Sequence, residues 1–310
     1  MQSVLVTGGA GFIGSNLTLE LQRRHPEAWI FVMDDFRSGD FRNLEGFRGD
    51  FIAGNIAEVD IDKRFQEGAF DAIFHLASIT DTTEQHQYRQ VHDNVEGFRK
   101  LLQWAKSDQT PLVYASSAAV YGKTEAVMGE RCKPSPQNAY AFSKIQLDHL
   151  AGYYRKQYPA WNLVGLRYFN VYGPREAHKR HMASMVYQLY LQMKAGKKPR
   201  IFKDGEQKRD FVYVKDVVEA TLAASAASVP GVYNVGSGAS SSFNDVISRL
   251  NKALGLALDT EYFENPYSFY QNVTQADISK SREKLCYEPR FDLEHGIDDY
   301  VKWLLKSGES

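Results

Sequence analysis

Through the first half of the chain, short apolar runs alternate with longer amphipathic stretches. Val4–Val6, Trp29–Met33, Asp71–Leu76, Leu112–Ala115 and Leu163–Tyr168 are brief and rich in β-branched and aromatic residues. That is the signature of strands buried on both faces of a parallel sheet. Between them, Phe12–Arg24, Val91–Lys106 and Tyr140–Tyr158 read as helices. A β-α-β-α rhythm wound by right-handed crossovers predicts a Rossmann-type, doubly wound α/β sheet.

After Gly173-Pro174 the rhythm loosens. Met182–Lys194 reads as a helix and Lys203-Asp204-Gly205 as a turn. Phe211–Val214 and Val232–Val235 read as strands flanking a helix over Asp216–Ala226, and two further helices follow over Phe243–Leu254 and Glu294–Leu305. The pattern predicts a larger domain from residues 1–170 plus 211–240 and a smaller, discontinuous α/β domain from 171–210 plus 241–310. The smaller one would sit over the carboxyl ends of the strands, where open α/β sheets bind ligands.

Composition narrows the class. With 310 residues, two packed units are expected, and 43% apolar content supplies a sizeable core. Thirty-seven basic against 38 acidic residues argue against a general nucleic-acid binder. No apolar run approaches the roughly 18 residues of a membrane span. The chain opens on a strand with no charged or apolar leader, and its two cysteines, Cys132 and Cys286, lie far apart without metal-ligand spacing. These features predict a cytoplasmic protein with no metal site.

The chemistry begins at the first turn. Thr7-Gly8-Gly9-Ala10-Gly11-Phe12-Ile13-Gly14 leaves the first strand and opens the first helix, with glycines at 8, 11 and 14. Such glycines let backbone approach a pyrophosphate lying on the helix N-terminus. Asp34, twenty residues past Gly14 at the end of the second strand, stands where an acidic residue takes ribose hydroxyls. Asp34-Asp35 favours NAD, whereas Arg37 and Arg42 just beyond offer forks for the 2′-phosphate of NADP, and both cofactors stay open.

Tyr140 and Lys144 form a Tyr-x-x-x-Lys pair one helical turn apart. A neighbouring ammonium, together with the cation of an oxidised nicotinamide, stabilises a phenolate and lowers the tyrosine pKa towards that of a working base. Ser116-Ser117 lie at the carboxyl end of a strand; Ser117 is placed to hold a substrate hydroxyl, and Ser116 reads as a turn or capping serine. His75, at another strand end, reads as a packed histidine rather than a ligand.

With these residues in view, the chain resembles the extended short-chain dehydrogenases/reductases. The carriers are Thr7–Gly14, Ser117, Tyr140/Lys144 and the segment Arg167-Tyr168-Phe169-Asn170-Val171-Tyr172-Gly173-Pro174. Within that group it is similar to the ADP-glyceromanno-heptose 6-epimerases. That likeness rests on Asp81-Thr82-Thr83-Glu84, Arg175-Glu176-Ala177-His178-Lys179 with Met182-Ala183-Ser184-Met185, Lys208–Tyr213, and Tyr270–Asp277. The resemblance implies an isomerase that inverts the sixth carbon of an ADP-heptose, a step in lipopolysaccharide core synthesis. It would work through a keto intermediate with a tightly held nicotinamide cofactor, NADP by family habit, and as a homo-oligomer.

Carried over by position, the resemblance makes Tyr140 one acid/base group and Lys179 the second. It places cofactor contacts at Phe12, Ile13, Asp34, Asp35, Arg37, Asn55, Ile56, Leu76, Ala77, Ser78, Asn94, Lys144, Val171 and Lys179. Nucleotide-sugar contacts fall at Asn170, His181, Gln188, Phe202, Arg209 and Tyr270, with Asp210 placed to orient Arg209. The chain departs from the family at Asp35, acidic where others carry a neutral or basic residue, at Arg180-His181, and at Gln188. A 4-epimerase or 4,6-dehydratase of another sugar nucleotide is the alternative activity, although Ser117-Ala118-Ala119 lacks the Asp-Glu pair of a dehydratase. A non-catalytic nucleotide sensor is the third possibility, and the retained tyrosine and lysine speak against it.

Overall fold

The computed structural model describes residues 1–82, 84–123, 127–202, 204–264 and 273–308. Six strands of the first half are β1 (Ser3–Thr7), β2 (Trp29–Asp34), β3 (Asp50–Ala53), β4 (Ala72–His75), β5 (Leu112–Ser117) and β6 (Leu163–Tyr168). With β11 (Gly231–Val235) they form a seven-stranded parallel sheet in the order β11-β6-β5-β4-β1-β2-β3. The order reverses between β1 and β4, and such a switch point opens a crevice at the carboxyl ends of the strands.

Side chains alternate across the sheet with the two-residue period of a strand. Val4, Val6, Ala72 and Phe74 join one core with Leu17 and Leu21 of α1 (Phe12–Arg24) and Val217 and Ala224 of α5 (Val214–Ser225). Leu5 and Ile73 point into the opposite core, against Phe98 and Leu101 of α2 (Gln87–Ala105) and Leu147 and Ala151 of α3 (Ala139–Gln157).

A separate core joins the remaining helices. It gathers Val186 and Tyr190 of α4 (Met185–Lys194), Phe243 and Ile247 of α6 (Phe243–Leu254), and Tyr300 and Leu304 of α8 (Leu293–Ser307). Three short ladders stitch this second lobe: β7 (Asn170–Tyr172) with β10 (Phe211–Tyr213), β8 (Arg200–Phe202) with β13 (Glu261–Phe263), and β9 (Lys208–Arg209) with β12 (Ser241–Ser242). Helix α7 (Ser279–Leu285) instead contributes Leu285 to the core of the main sheet. Among the described residues no helix is long and apolar enough to cross a membrane.

Several expectations shift. The strand at Phe211 stops at Tyr213, pairs with β7 rather than joining the large sheet, and hands Val214 directly to α5. The helix expected from Met182 begins at Met185, because the Ser184 hydroxyl accepts the Tyr187 N–H and caps it there. A 3₁₀ segment, Ala177–Met182, precedes that cap. Strand β3 escapes the apolar pattern because it lies at the sheet edge with mostly exposed side chains.

One buried ion pair links α3 to β6. The Arg167 guanidinium donates to Asp148 Oδ2 at 3.0 and 2.8 Å, and the Tyr114 hydroxyl donates to Oδ1 at 3.0 Å. Both partners of the pair are almost fully buried. Removing one partner leaves the other charge in apolar surroundings, so Asp148→Ala should lower stability by about 3–5 kcal/mol. A urea titration followed by circular dichroism checks this; a midpoint like that of the wild type would contradict it.

Candidate active site

The glycine turn is shaped by what no side chain can occupy. Gly8 has φ +73°, and a Cβ there would lie 2.5 Å from Ala77 N; one on Gly14 would lie 2.0 Å from Gly8 O. The turn is closed by Gly8 N–H to Met33 O at 2.7 Å and by Gly11 N–H to Gly8 O at 3.1 Å. No side chain caps the start of α1, and its first turn holds no acidic residue. The N–H groups of its first turn therefore face the crevice, as an anion requires.

Around this turn lies a cavity of about 650 Å³. Its walls come from the carboxyl ends of the strands: Asp34 ending β2 and Asp35 after it, Leu76, Ala77 and Ser78 after β4, Ser116 and Ser117 of β5, and Tyr168 ending β6 with Phe169 after it. Gly11, Phe12, Ile13, Arg37, Asn55, Ile56, Asn94, Tyr140, Lys144, Val171 and Lys179 complete the set, so the catalytic and cofactor positions expected from the sequence, Arg42 excepted, line one cavity. The fit to a dinucleotide rests on the uncapped helix start, on the bare glycine cradle, and on the buried Ser78 hydroxyl, which has no protein partner.

At one end of the cavity, Asp34 faces inward. Its carboxylate accepts the Ala10 and Phe36 N–H groups, each at 2.9 Å, and burial raises its pKa. Arg37 is gripped on two sides, by Asp35 at 2.5 Å and by Asp93 of α2 at 2.5 Å. Burial pushes the Asp93 carboxyl up, but bonds from His92 and Arg37 outweigh this and hold it below its ordinary value. Arg42 turns away to Asp40 and does not line the cavity. Nothing in the local sequence foretold Asp93, which meets Arg37 from a helix 56 residues away.

At the other end, Lys144 is buried and donates to Ala115 O at 2.9 Å. Burial lowers its pKa to about 7, opposed by the Asp148 charge one turn along α3. Its Nζ lies 5.7 Å from the Tyr140 ring centre. Within the protein alone, burial holds Tyr140 above the ordinary phenol value and outweighs the hydrogen bond with Ser117. The two serines also exchange one role: Ser117 caps the following 3₁₀ turn by accepting the Ala119 N–H, while the buried Ser116 hydroxyl has no partner. His75 is packed as expected, stacked on Phe98 and bonded to the Thr7 hydroxyl at 2.8 Å.

Lys179 enters from the second lobe, its Nζ 5.5 Å from the Phe12 ring centre. Burial lowers its pKa, and the charge of Glu176 resists that. Among the described residues, the expected nucleotide-sugar positions Asn170, His181, Gln188, Phe202 and Arg209 sit outside this cavity, on the second lobe. The Asn170 N–H bonds Asp210 O, Thr274 N–H bonds Lys208 O beside Arg209, and Gln207 Nε2 bonds Phe202 O, which links these strands into one wall. Asp210, expected to orient Arg209, instead accepts from Ser237, Gly238 and Ala276 and anchors the segment after residue 272. Gln188 donates to His181 O and Ala183 O. Tyr270 lies outside the described residues. No cluster with metal-ligand character occurs among the described residues.

Comparison with known proteins adds to this geometry. Residues 4–236 match the NAD dependent epimerase/dehydratase family. An ADP-L-glycero-D-manno-heptose-6-epimerase of Alkalilimnicola ehrlichii is 36% identical, with 96% of each chain covered. The crystal structure of Helicobacter pylori ADP-L-glycero-D-manno-heptose-6-epimerase is 43% identical, with a TM-score of 0.90 over 98% of this chain and 96% of that one. UDP-glucuronic acid 4-epimerase from Bacillus cereus, in complex with NAD, is 31% identical, with a TM-score of 0.85 over 98% and 99% of the two chains.

The depressed Lys144 value has a measurable consequence. The folded protein without cofactor releases this proton near pH 7, whereas an unfolded lysine keeps it to about 10.4. Between those values the unfolded chain binds more protons, so raising the pH stabilises the fold. Lys144→Met should flatten the rise in urea midpoint between pH 7 and pH 9; an equal rise in both proteins would show that Lys144 is not its source.

Proposed function

The chain belongs to the NAD dependent epimerase/dehydratase family, and from that premise we propose that it inverts the sixth carbon of ADP-D-glycero-D-manno-heptose, supplying the L-glycero epimer for lipopolysaccharide core synthesis. One observation carries the reading. Tyr140 on α3 and Lys179 on the turn before α4, two proton-transfer groups from different lobes, line the same cavity. The identities of the Alkalilimnicola and Helicobacter epimerases supply the substrate.

Inverting a secondary alcohol through a ketone calls for two such groups, because the oxygens of the two epimers point in different directions. Tyr140 takes and returns the proton of one epimer, and Lys179 that of the other. A bound nicotinamide supplies acceptance of the hydride and its return to the opposite face. Ser117, bonded to Tyr140, holds the reacting oxygen. Lys144, tethered to Ala115 O, would hold the nicotinamide ribose. Residues 171–210 and 241–310 serve as the nucleotide-sugar side, where the Arg209 fork suits the diphosphate. Asn170, His181, Gln188, Phe202 and Tyr270 complete that side.

The dinucleotide is NAD rather than NADP. What supports this is the charge around Arg37: Asp35 and Asp93 both hold its guanidinium, and Asp34 lies behind them. A 2′-phosphate would have to displace one of these carboxylates and then sit beside them.

Purified protein mixed with ADP-D-glycero-D-manno-heptose, with no cofactor added, should convert it to the L-glycero epimer by proton NMR. No conversion even with added NAD and NADP would reject the substrate, and UDP-, GDP- and dTDP-sugars would then be tried. Tyr140→Phe and Lys179→Met should each slow turnover by about 10²–10⁴-fold. Acid extraction followed by mass spectrometry should release NAD, and Asp35→Asn should improve NADP binding by about tenfold, or 1.4 kcal/mol. Recovery of NADP from the wild type would overturn the cofactor assignment.

A further inference from the structure

The turn that carries Lys179 is closed by a carboxylate with no place in the chemistry above. Glu176 is fully buried. Its Oε1 accepts the Gly173 N–H at 3.1 Å and the Ser184 hydroxyl at 2.8 Å, and its Oε2 accepts the Ser184 N–H at 2.6 Å. The Lys179 N–H in turn donates to Glu176 O at 3.0 Å. Each carboxylate oxygen thus faces a main-chain N–H, a group that can only donate, which favours the anion.

The backbone it spans does not hold its shape unaided. Gly173 has φ 142°, Arg175 φ 69°, and Arg180 φ 51° with ψ −120°. Non-glycine residues keep such angles only where surrounding contacts over-determine them. Here the contacts converge on one side chain, which joins the foot of the turn at Gly173 to the start of α4 at Ser184.

We propose that Glu176 is a positioning residue: its carboxylate clamps the two feet of the 173–184 turn together and so holds Lys179 Nζ beside the cofactor loop at Phe12. This rests on the reading of Lys179 as the second proton-transfer group. Glu176 is the charged neighbour that Lys179 feels most, and His178 feels Lys179 in turn. Asp40 faces His178 from the loop after β2, and Asn43 bonds both His178 Nδ1 and Ala10 O, each at 2.9 Å. Tyr140 and Lys144 face the cavity from α3, with Asp34 across from them. The clamp therefore sets both where the lysine sits and how readily it gives up its proton, since the anion opposes the effect of burial.

The test is Glu176→Gln, which keeps the shape and removes the charge. Turnover should fall by about 10²-fold, the scale of a small displacement of a reacting group, with KM little changed. In the direction in which Lys179 takes the proton, the acid limb of the kcat profile should move to lower pH, because losing the anion lowers the lysine pKa. Competitive acetylation read by mass spectrometry should show Lys179 reacting faster at neutral pH than in the wild type, with exposed lysines as the internal standard. Wild-type turnover and an unmoved acid limb would overturn the proposal, as would a rate loss that follows thermal stability while Lys179 labelling stays the same. Should the Gln variant fail to fold, Ser184→Ala removes one donor and keeps the charge; faster Lys179 labelling is expected, and unchanged labelling counts against the clamp. Lys179→Met separates the two failures. If it turns over normally, the lysine has no role; if it is inactive while Glu176→Gln behaves as the wild type, the clamp alone is wrong.

Discussion

The site depends on the bond from the Ala10 N–H to the buried Asp34 carboxylate at 2.9 Å. It fixes the glycine turn against the end of β2 and thereby sets the width of the crevice at the switch point. Asp34 faces inward to do this, so its carboxylate belongs to the loop, and the next residue, Asp35, takes the outer position with Arg37. Two adjacent acidic residues that look redundant in the sequence therefore do different things. One shapes the glycine turn, and the other holds Arg37 at the cavity wall.

The second lobe reaches the same crevice by a different physical route. Its core of tyrosines, phenylalanines and aliphatic residues is separate from the two cores of the sheet. Contact with the cofactor side is made by polar linkages: Asn43 to His178, and Asn16 to the Pro174 carbonyl at 2.9 Å. Hydrogen bonds of this kind fix direction more than they add stability. They aim the Lys179 turn at the glycine loop.

Much of this was legible in the amino-acid order. Buried parallel strands announce themselves as apolar runs, so the sheet and its carboxyl-end residues could be placed before any coordinates. The Gly8–Gly14 loop and the Tyr140/Lys144 pair are local patterns, and local patterns survive in one dimension. What escaped was set by contacts distant in sequence or by exposure. The edge strand β3 lacks an apolar code, Asp93 carries no mark of its meeting with Arg37, and the assignment of the cap to Ser117 rather than Ser116 depends on the 3₁₀ turn that follows. The second-lobe positions proposed to face the nucleotide sugar carry no local pattern, since short ladders such as Lys208–Arg209 against Ser241–Ser242 have too few residues to show a period.

The strand order also bears on how the chain is made. Strands β1 to β6 lie consecutively in the first 168 residues, whereas β11, which covers the outer side of β6, follows about sixty residues later. At about 5–20 residues per second, the growing chain displays β6 as an open edge for several seconds. All six of its residues are buried in the finished fold. An apolar, unpaired strand is the kind of surface on which chains adhere to one another. Vulnerability to misassembly is thus concentrated in the interval of synthesis between Tyr168 and Val235, and it closes when β11 docks.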